Sequence, residues 1–248
     1  MVTRSELQQY LHDFLQCKRY QDYAPNGLQV EGKTDIQRIM TAVTASQAAI
    51  DAAIAWNADA LLVHHGYFWK GETLVICGLK KKRIASLLEH NINLFAYHLP
   101  LDQHPAIGNN VLFAKHFITE SVWQSPSEPL IWHAQIVETS KTELLTQIEN
   151  AMRRTPLSVG YNVDSITRIA WCTGAAQDFF QQAINEGAQV FISGEYAERT
   201  YHEACENDAV YISCGHHASE RAGICALGEY LSTAFSLEYT FFDEENPF

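Results

Sequence analysis

The chain has 248 residues, of which 47% are hydrophobic and 19% charged, a composition typical of a soluble globular protein with a large core. Its 17 Lys and Arg against 29 Asp and Glu give a net charge of −12, which argues against loose, charge-driven binding to nucleic acid. The sequence has no apolar segment of membrane-spanning length, and its six cysteines lack Cys-x-x-Cys spacing. Its first residues lack an apolar h-region, so we expect no signal peptide. We expect a cytoplasmic protein with reduced thiols and no membrane partner.

The predicted elements begin with an amphipathic helix over residues 3–17, in which Thr3 and Glu6 form a reciprocal capping box. A turn at residues 25–27 follows, in a segment that either connects two elements or lines a site. A strand, an alanine-rich helix and a second strand then occupy residues 36–63. A crossover helix of this kind favours a parallel pair of strands.

Two adjacent histidines, His64 and His65, end the second strand and precede Gly66. Where a chain turns at the end of a strand, both rings can face one pocket, and open α/β sheets bind ligands at the carboxyl ends of their strands. Two imidazoles at this position indicate a metal site. The alternative is that one ring packs at the strand end while the other is solvated.

Two segments after Gly66 have more than one interpretation. The three aromatic residues 67–69 lie between glycines and form either a lid over the site, a subunit contact or part of the core. The four basic residues 80–83 open a predicted helix, and we interpret them as a solvated face in preference to a phosphate-binding patch.

Two further strand-like runs end in residues of the metal-binding type. The first, 93–97, leads into His98 and Asp102, in a stretch whose prolines predict a fixed loop. The second run leads into His216 and Glu220, which lie four residues apart at the start of a predicted helix and therefore share one face.

The sequence also repeats itself at long range. Residues 38–47 align without a gap with residues 168–177, and the same register places residues 64–65 opposite residues 194–195. We interpret this as the duplication of a strand-helix-strand-helix-strand unit, against the alternative of chance similarity between two βα units.

The duplication predicts where candidate ligands would meet. The stretch 98–102 falls roughly opposite 215–220, so each copy supplies ligands to a cleft between two halves, a common place for a site. Five such ligands, with Glu220 as a bridging carboxylate, would hold two ions about 3.5–4 Å apart and ionise a water near neutral pH. Imidazole and carboxylate ligands suit Zn, Mn, Fe, Co or Ni. The five residues are His64, His65, Asp102, His216 and Glu220.

Several segments also carry a family resemblance that covers nearly the whole chain. They are Asn26-Gly-Leu-Gln-Val-Glu-Gly32, Val63-His-His-Gly-Tyr-Phe-Trp-Lys70, Tyr97-His-Leu-Pro-Leu-Asp102, Gly108-Asn-Asn110 and Gly215-His-His-Ala-Ser-Glu220. Together they resemble the NIF3-like family, whose bacterial members are often labelled GTP cyclohydrolase 1 type 2 homologues. The sequence does not depart from the family at the metal positions.

The resemblance implies an α/β fold of two intertwined, duplicated units with mixed β-sheets. We place the first unit at residues 1–125 with about 220–248, and the second at 126–219. The resemblance also implies a toroidal homohexamer, built as a trimer of dimers.

The same resemblance implies a dinuclear metal site with the five ligands already named. One ion would be held by His64, Asp102 and Glu220, and the other by His65, His216 and the same Glu220.

Two classes of function follow from these observations. The first is a dinuclear-metal-dependent hydrolase that acts on a nucleotide-like small molecule, for example by opening a ring of GTP. His98 and Glu195 would move protons in this reaction. The second is a toroidal binding, adaptor or regulatory protein with non-catalytic metals and a nucleic acid or protein partner. The net charge disfavours nucleic acid unless residues 80–83 line the hole of the ring.

Overall fold

The computed structural model describes residues 1–117, 119–161, 163 and 165–248. The chain divides into two compact units, of which the first contains residues 1–107 and 223–245 and the second 108–222 and 246–248. Residues 108–125, which the sequence analysis placed in the first unit, cluster with the second.

The first unit is built around a mixed sheet. Its elements up to residue 107 are β1 (Val2–Thr3), α1 (Arg4–Phe14), β2 (Gly27–Val30), β3 (Asp35–Ile36), β4 (Arg38–Thr44), α2 (Gln47–Ala55), β5 (Ala60–His65), α3 (Gly78–Glu89), β6 (Asn93–Ala96) and α4 (Leu99–Asp102).

The second unit is also built around a mixed sheet. Its elements are α5 (Asn109–Ala114), β7 (Thr119–Gln124), β8 (Trp132–Thr139), α6 (Lys141–Met152), β9 (Leu157–Gly160), β10 (Ile166–Cys172), α7 (Phe180–Asn185), β11 (Val190–Ser193), α8 (Glu198–Glu206) and β12 (Val210–Ser213). The chain ends with α9 (His216–Phe235), whose residues fall partly in each unit, and β13 (Glu238–Phe241) in the first.

Each of the two sheets has parallel strands at its centre. In the first unit the strand order is β13-β4-β5-β6-β2, with only β2 antiparallel to its neighbour. In the second the order is β7-β8-β10-β11-β12-β9, where β10, β11 and β12 are parallel and β9 is antiparallel to β12. Both central pairs have one register, since Ile39 pairs with Ala60 and Ile169 with Val190. The predicted mixed α/β fold and its duplication are therefore confirmed.

The repeat is longer than the sequence pattern indicated. In each unit a helix and an antiparallel strand precede the parallel strands, namely α1 with β2 and α6 with β9. Both helices begin with a reciprocal capping box, formed by Thr3 with Glu6 and by Ser140 with Glu143.

Each sheet has a hydrophobic core on both faces. In the first unit, α1 and the second half of α9 contribute Leu7, Leu11 and Leu227 to one face, and α2 contributes Ile50 to the other. Burial on both faces explains why β5 reads as an uninterrupted apolar run up to the histidines.

Candidate metal centre

His64 and His65 are the last two residues of β5 and lie at the carboxyl end of the first sheet. His64 is buried, and the two ring centroids are 4.6 Å apart. We expected the rings to approach each other where the strand stops; instead β5 continues through His65, which pairs with Thr44. The pairing of β5 with β6 ends earlier, at Val63. The two rings are therefore neighbours although the strand includes both residues.

The hydrogen bond of His64 selects its metal-binding nitrogen. Nδ1 lies 2.9 Å from the carbonyl oxygen of Tyr97. A carbonyl oxygen accepts but does not donate, so Nδ1 carries the proton and the neutral ring has its lone pair on Nε2, as in many metal-binding histidines. Nε2 lies 3.4 Å from Oδ1 of Asp102, a buried carboxylate.

Asp102 is positioned by a single helical turn. The prolines predicted a fixed loop here, and that prediction is wrong for residues 99–102, which form α4. Pro100 falls in the first turn, where the missing N–H costs no helical hydrogen bond. The N–H of Asp102 donates to the carbonyl of His98, which brings two candidate residues onto consecutive turns of one short segment.

His98 joins the two histidines of β5. One ring nitrogen from each of His64, His65 and His98 lies within 4.8 Å of the other two, so the three rings meet at one place. Sequence analysis missed the other contact of His98, in which Nδ1 lies 2.7 Å from Oδ1 of Asp22. Burial alone would raise the pKa of Asp22, but His98 and the neighbouring donors lower it. The only signal in the sequence was the turn at residues 25–27, in a segment that either connects two elements or lines a site.

The second unit holds a cluster of its own residues at the start of α9. His216 and Glu220 are one helical turn apart, with Nε2 and Oε2 separated by 3.1 Å. Nδ1 of His216 lies 2.6 Å from Oε1 of Glu195, which follows β11 at the position equivalent to His65. Burial acts to lower the pKa of His216, but the two carboxylates outweigh it and raise the pKa to about 9. The two carboxylates therefore favour a positive charge at the ring of His216.

Gly174 makes room for the carboxylate of Glu220. Its φ of +72° is in the left-handed region, and a Cβ atom there would overlap Oε1 of Glu220. Its N–H donates to the hydroxyl of Ser219, 3.0 Å away, which fixes this backbone beside α9. Sequence analysis did not identify Gly174 as part of the site, because the contact joins residues more than 40 positions apart.

The segments after Gly66 have mixed roles. Tyr67 belongs to the core and donates its hydroxyl to the carbonyl of Ala45. Trp69 lies edge-on to His98, with 5.0 Å between ring centroids. Lys80 contacts the ring of Phe68 and Glu72, while residues 81–82 are exposed. The aromatic segment thus serves both the core and the candidate centre.

The donor types of the two clusters fit a borderline divalent ion. The first unit supplies imidazole nitrogens and the carboxylate of Asp102, and the second supplies His216 with two carboxylates. Neutral imidazole combined with carboxylate is the ligand chemistry of Zn, Mn, Fe, Co and Ni sites. The hydrogen bonds to the second nitrogens of His64 and His216 are those that orient metal-binding histidines.

Comparison with known proteins identifies the family. The family model described as Duf34/NIF3 (NGG1p interacting factor 3) matches residues 2–247. The chain belongs to the DUF34/NIF3 family. Among its relatives, the "GTP cyclohydrolase 1 type 2 homolog" of Neisseria meningitidis is 47% identical over 251 residues, covering 100% of both chains. The protein of the same name from Yersinia pestis is 47% identical over 98% of each chain.

Solved structures of similar proteins agree with the fold. A protein described as ybgI, of unknown function, matches with a TM-score of 0.96 at 44% identity, and the match covers 100% of both chains. TTHA1606 from Thermus thermophilus matches with a TM-score of 0.89 at 28% identity over 100% of both chains. In this DUF34/NIF3 chain, the helices within the described residues include none that is both apolar and long enough to cross a membrane.

Proposed function

We propose that this protein is a dinuclear-metal-dependent hydrolase that acts on a nucleotide-like small molecule. The observation that carries the proposal is the orientation of His64. Its Nδ1 donates to a backbone carbonyl while Nε2 lies 3.4 Å from a buried carboxylate, the arrangement of a metal-binding histidine beside a second ligand.

The proposed centre has the five ligands that the sequence analysis names. One divalent ion is assigned to His64, Asp102 and Glu220, and the other to His65, His216 and the same Glu220, which bridges them. The support is the donor chemistry of each cluster, together with the match of the family model over residues 2–247. Zn, Fe, Mn, Co and Ni all suit this ligand set.

When bound, two such ions supply Lewis acidity and lower the pKa of a coordinated water. The chain's own groups must then hold and move protons. His98 accepts a proton at Nε2, because Asp22 occupies its Nδ1 at 2.7 Å. Glu195, which is 2.6 Å from His216 and partly exposed, is the second proton carrier and connects the cluster with solvent.

The proposed substrate class comes from the relatives. Several proteins about 45% identical to this chain over its length are named GTP cyclohydrolase 1 type 2 homologs. We therefore propose hydrolytic ring opening of GTP or of a related nucleotide. We also propose that the protein acts in the cytoplasm as a toroidal homohexamer, a trimer of dimers.

A pair of alanine substitutions tests the metal centre. We expect His65→Ala and Glu220→Ala to lose bound metal and turnover of nucleotides, because each removes a ligand from the proposed pair of ions. Metal content of gently purified protein, followed by turnover of GTP and other nucleotides with and without that metal, provides the measurement.

His202→Ala is the matched control, because His202 also lies four residues from a glutamate, Glu198, in a helix of the second unit, with 3.1 Å between them. That pair is exposed, so the control should keep both metal and turnover. Full metal content and activity in His65→Ala or Glu220→Ala would refute the dinuclear hydrolase.

A surface loop favours a second candidate function. The apolar residues Leu74, Val75 and Ile76 are 87%, 63% and 51% exposed, and basic residues follow in α3. Exposed apolar segments of this kind often bind partners. The alternative is a toroidal binding, adaptor or regulatory protein whose metals are not catalytic. Two ions per chain without turnover of any nucleotide would support it over the hydrolase.

A further inference from the structure

Asp22 is a buried carboxylate surrounded by hydrogen-bond donors. Its side chain is 3% exposed, and Oδ1 lies 2.7 Å from Nδ1 of His98. Oδ2 accepts from the backbone N–H of Leu99 at 2.9 Å and from Nδ2 of Asn26 at 2.8 Å. Toward the imidazole the carboxylate can only accept a hydrogen bond, so Nδ1 of His98 carries a proton.

Asn26 completes the contact with His98 from the same loop. Its Oδ1 accepts from the backbone N–H of His98 at 2.8 Å, while its amide group donates to Asp22. The amide orientation is therefore fixed at both ends. One short segment, 22–26, holds the ring of His98 through Asp22 and its backbone through Asn26.

We propose that Asp22 and Asn26 are positioning residues that hold His98 in the Nδ1–H tautomer, with Nε2 directed to the pair His64 and His65. The geometry requires this tautomer, since the carboxylate lies at Nδ1 and a ring nitrogen of His98 lies within 4.8 Å of those of His64 and His65. The inference rests on the proposed function, in which Nε2 of His98 accepts a proton. In that role a lone pair on Nε2 is indispensable.

Asp59 shows what a purely structural carboxylate looks like in the same unit. It is also buried, but it accepts from the backbone N–H groups of Gln37 and Arg38 and pairs with Lys33. It contacts no imidazole in any of these bonds. Asp22 differs because one of its oxygens faces the ring of His98, which has a nitrogen within 4.8 Å of ring nitrogens of His64 and His65.

The test is the tautomer of His98 in the metal-free protein. In Asp22→Asn, an amide oxygen at the Oδ2 position keeps two fixed donors, Leu99 N–H and Asn26 Nδ2, whereas an oxygen at the Oδ1 position keeps one, Tyr23 N–H. The first orientation is favoured and turns the NH2 group toward His98. We therefore expect His98 to switch to the Nε2–H tautomer. Long-range 1H–15N spectra of histidine-labelled protein at alkaline pH distinguish the two tautomers, and the signal missing in His98→Gln assigns the residue.

Asp59→Asn is the matched control, because it makes the same change in a buried carboxylate of the same unit. It should leave the tautomer of His98 unchanged. With metal and substrate present, we expect Asp22→Asn to lower kcat by about 10²-fold or more at nearly unchanged KM and metal content. Asp59→Asn should not lower kcat in this way.

Two results would overturn the inference. One is an Nε2–H tautomer of His98 in the unsubstituted protein, a measurement that does not depend on whether any variant folds. The other is an unchanged tautomer in folded Asp22→Asn. Neither depends on turnover, so a protein that binds metal but hydrolyses no nucleotide would refute the proposed function and leave the positioning of His98 intact.

Discussion

The partner of the second ring nitrogen assigns a different task to each histidine of the candidate centre. A backbone carbonyl at Nδ1 of His64 fixes a neutral tautomer without adding charge. A carboxylate at Nδ1 of His98 holds the proton on that nitrogen. His216 has carboxylates at both nitrogens, which favours a positive charge there. The three histidines thus differ in the hydrogen-bond partners of their ring nitrogens.

Gly174→Ala tests the position of the second unit's carboxylate. The new Cβ would overlap Oε1 of Glu220, and a φ of +72° is strained for alanine. We expect a loss of about 1–3 kcal/mol in the free energy of unfolding, together with weaker binding of divalent metal. Chemical unfolding and a metal titration measure the two effects.

Gly71→Ala separates backbone strain from the clash. Gly71 has a φ of +88°, but a Cβ atom there would meet no atom within 4 Å. It should lose stability through strain alone and keep its metal affinity. Equal loss of metal affinity in both variants would show that the space beside Glu220 does not matter.

At the scale of elements, the duplication explains why one polar side chain directly precedes the equivalent strand, β5 or β11, in each sheet. Oδ2 of Asp59 accepts from Gln37 N and Arg38 N at 2.9 and 3.0 Å. Gln189, at the equivalent position before β11, accepts from Thr167 N and Arg168 N at 2.8 and 3.0 Å. In both copies, therefore, one side-chain oxygen at the same register accepts from two consecutive backbone N–H groups, although the side chains differ.

Asp59→Ala should therefore destabilise the start of β4 more than the loss of a surface ion pair would. Two backbone N–H groups lose their acceptor, at a cost of about 1–3 kcal/mol per buried unsatisfied group. Lys33→Ala removes only the ion pair with Asp59 and is the matched control. Urea unfolding should show a much larger drop for Asp59→Ala, and equal drops would contradict the role of the backbone bonds.

Sequence analysis succeeded where the signal is local or periodic. The helix cap at Thr3, the repeat register and the four-residue spacing of His216 and Glu220 depend on residues close in sequence or on a constant offset. It failed where the information lies in tertiary contacts. The bond from Asp22 to His98 spans 76 residues, and no periodicity indicates it. The helical turn at Pro100 was missed because a proline terminates or begins a helix depending on its position.

At the scale of the whole molecule, the two copies have diverged at the equivalent strand ends. The first copy has two histidines at the end of its central strand, whereas the second has glycine and Glu195 at the equivalent positions. The second copy recovers an imidazole from the next strand end, at the start of α9. The two copies therefore carry different donor sets at equivalent positions, two imidazoles in the first and a carboxylate in the second.

The stability of the whole chain should fall in mild acid because some histidines are harder to protonate in the folded chain. Burial lowers the pKa of His104, which is partly buried, and of His133, which is buried, below the ordinary value of 6.5. For His133, burial outweighs the raising effect of Glu186, and the charge of Arg168 adds to the lowering. Below pH 6.5 the unfolded chain then binds more protons than the folded one, so the free energy of unfolding decreases as the pH falls through the folded-state pKa values.

His133→Gln isolates one part of this effect. Glutamine can still donate to Glu186, which lies 2.8 Å from His133, but it takes up no proton. We expect urea unfolding of the metal-free variant to depend less steeply on pH below 6.5 than that of the unsubstituted protein. His90→Gln, at an exposed position, is the control and should keep the full dependence. A slope unchanged by His133→Gln would mean that this ring takes up its proton as easily in the folded as in the unfolded chain.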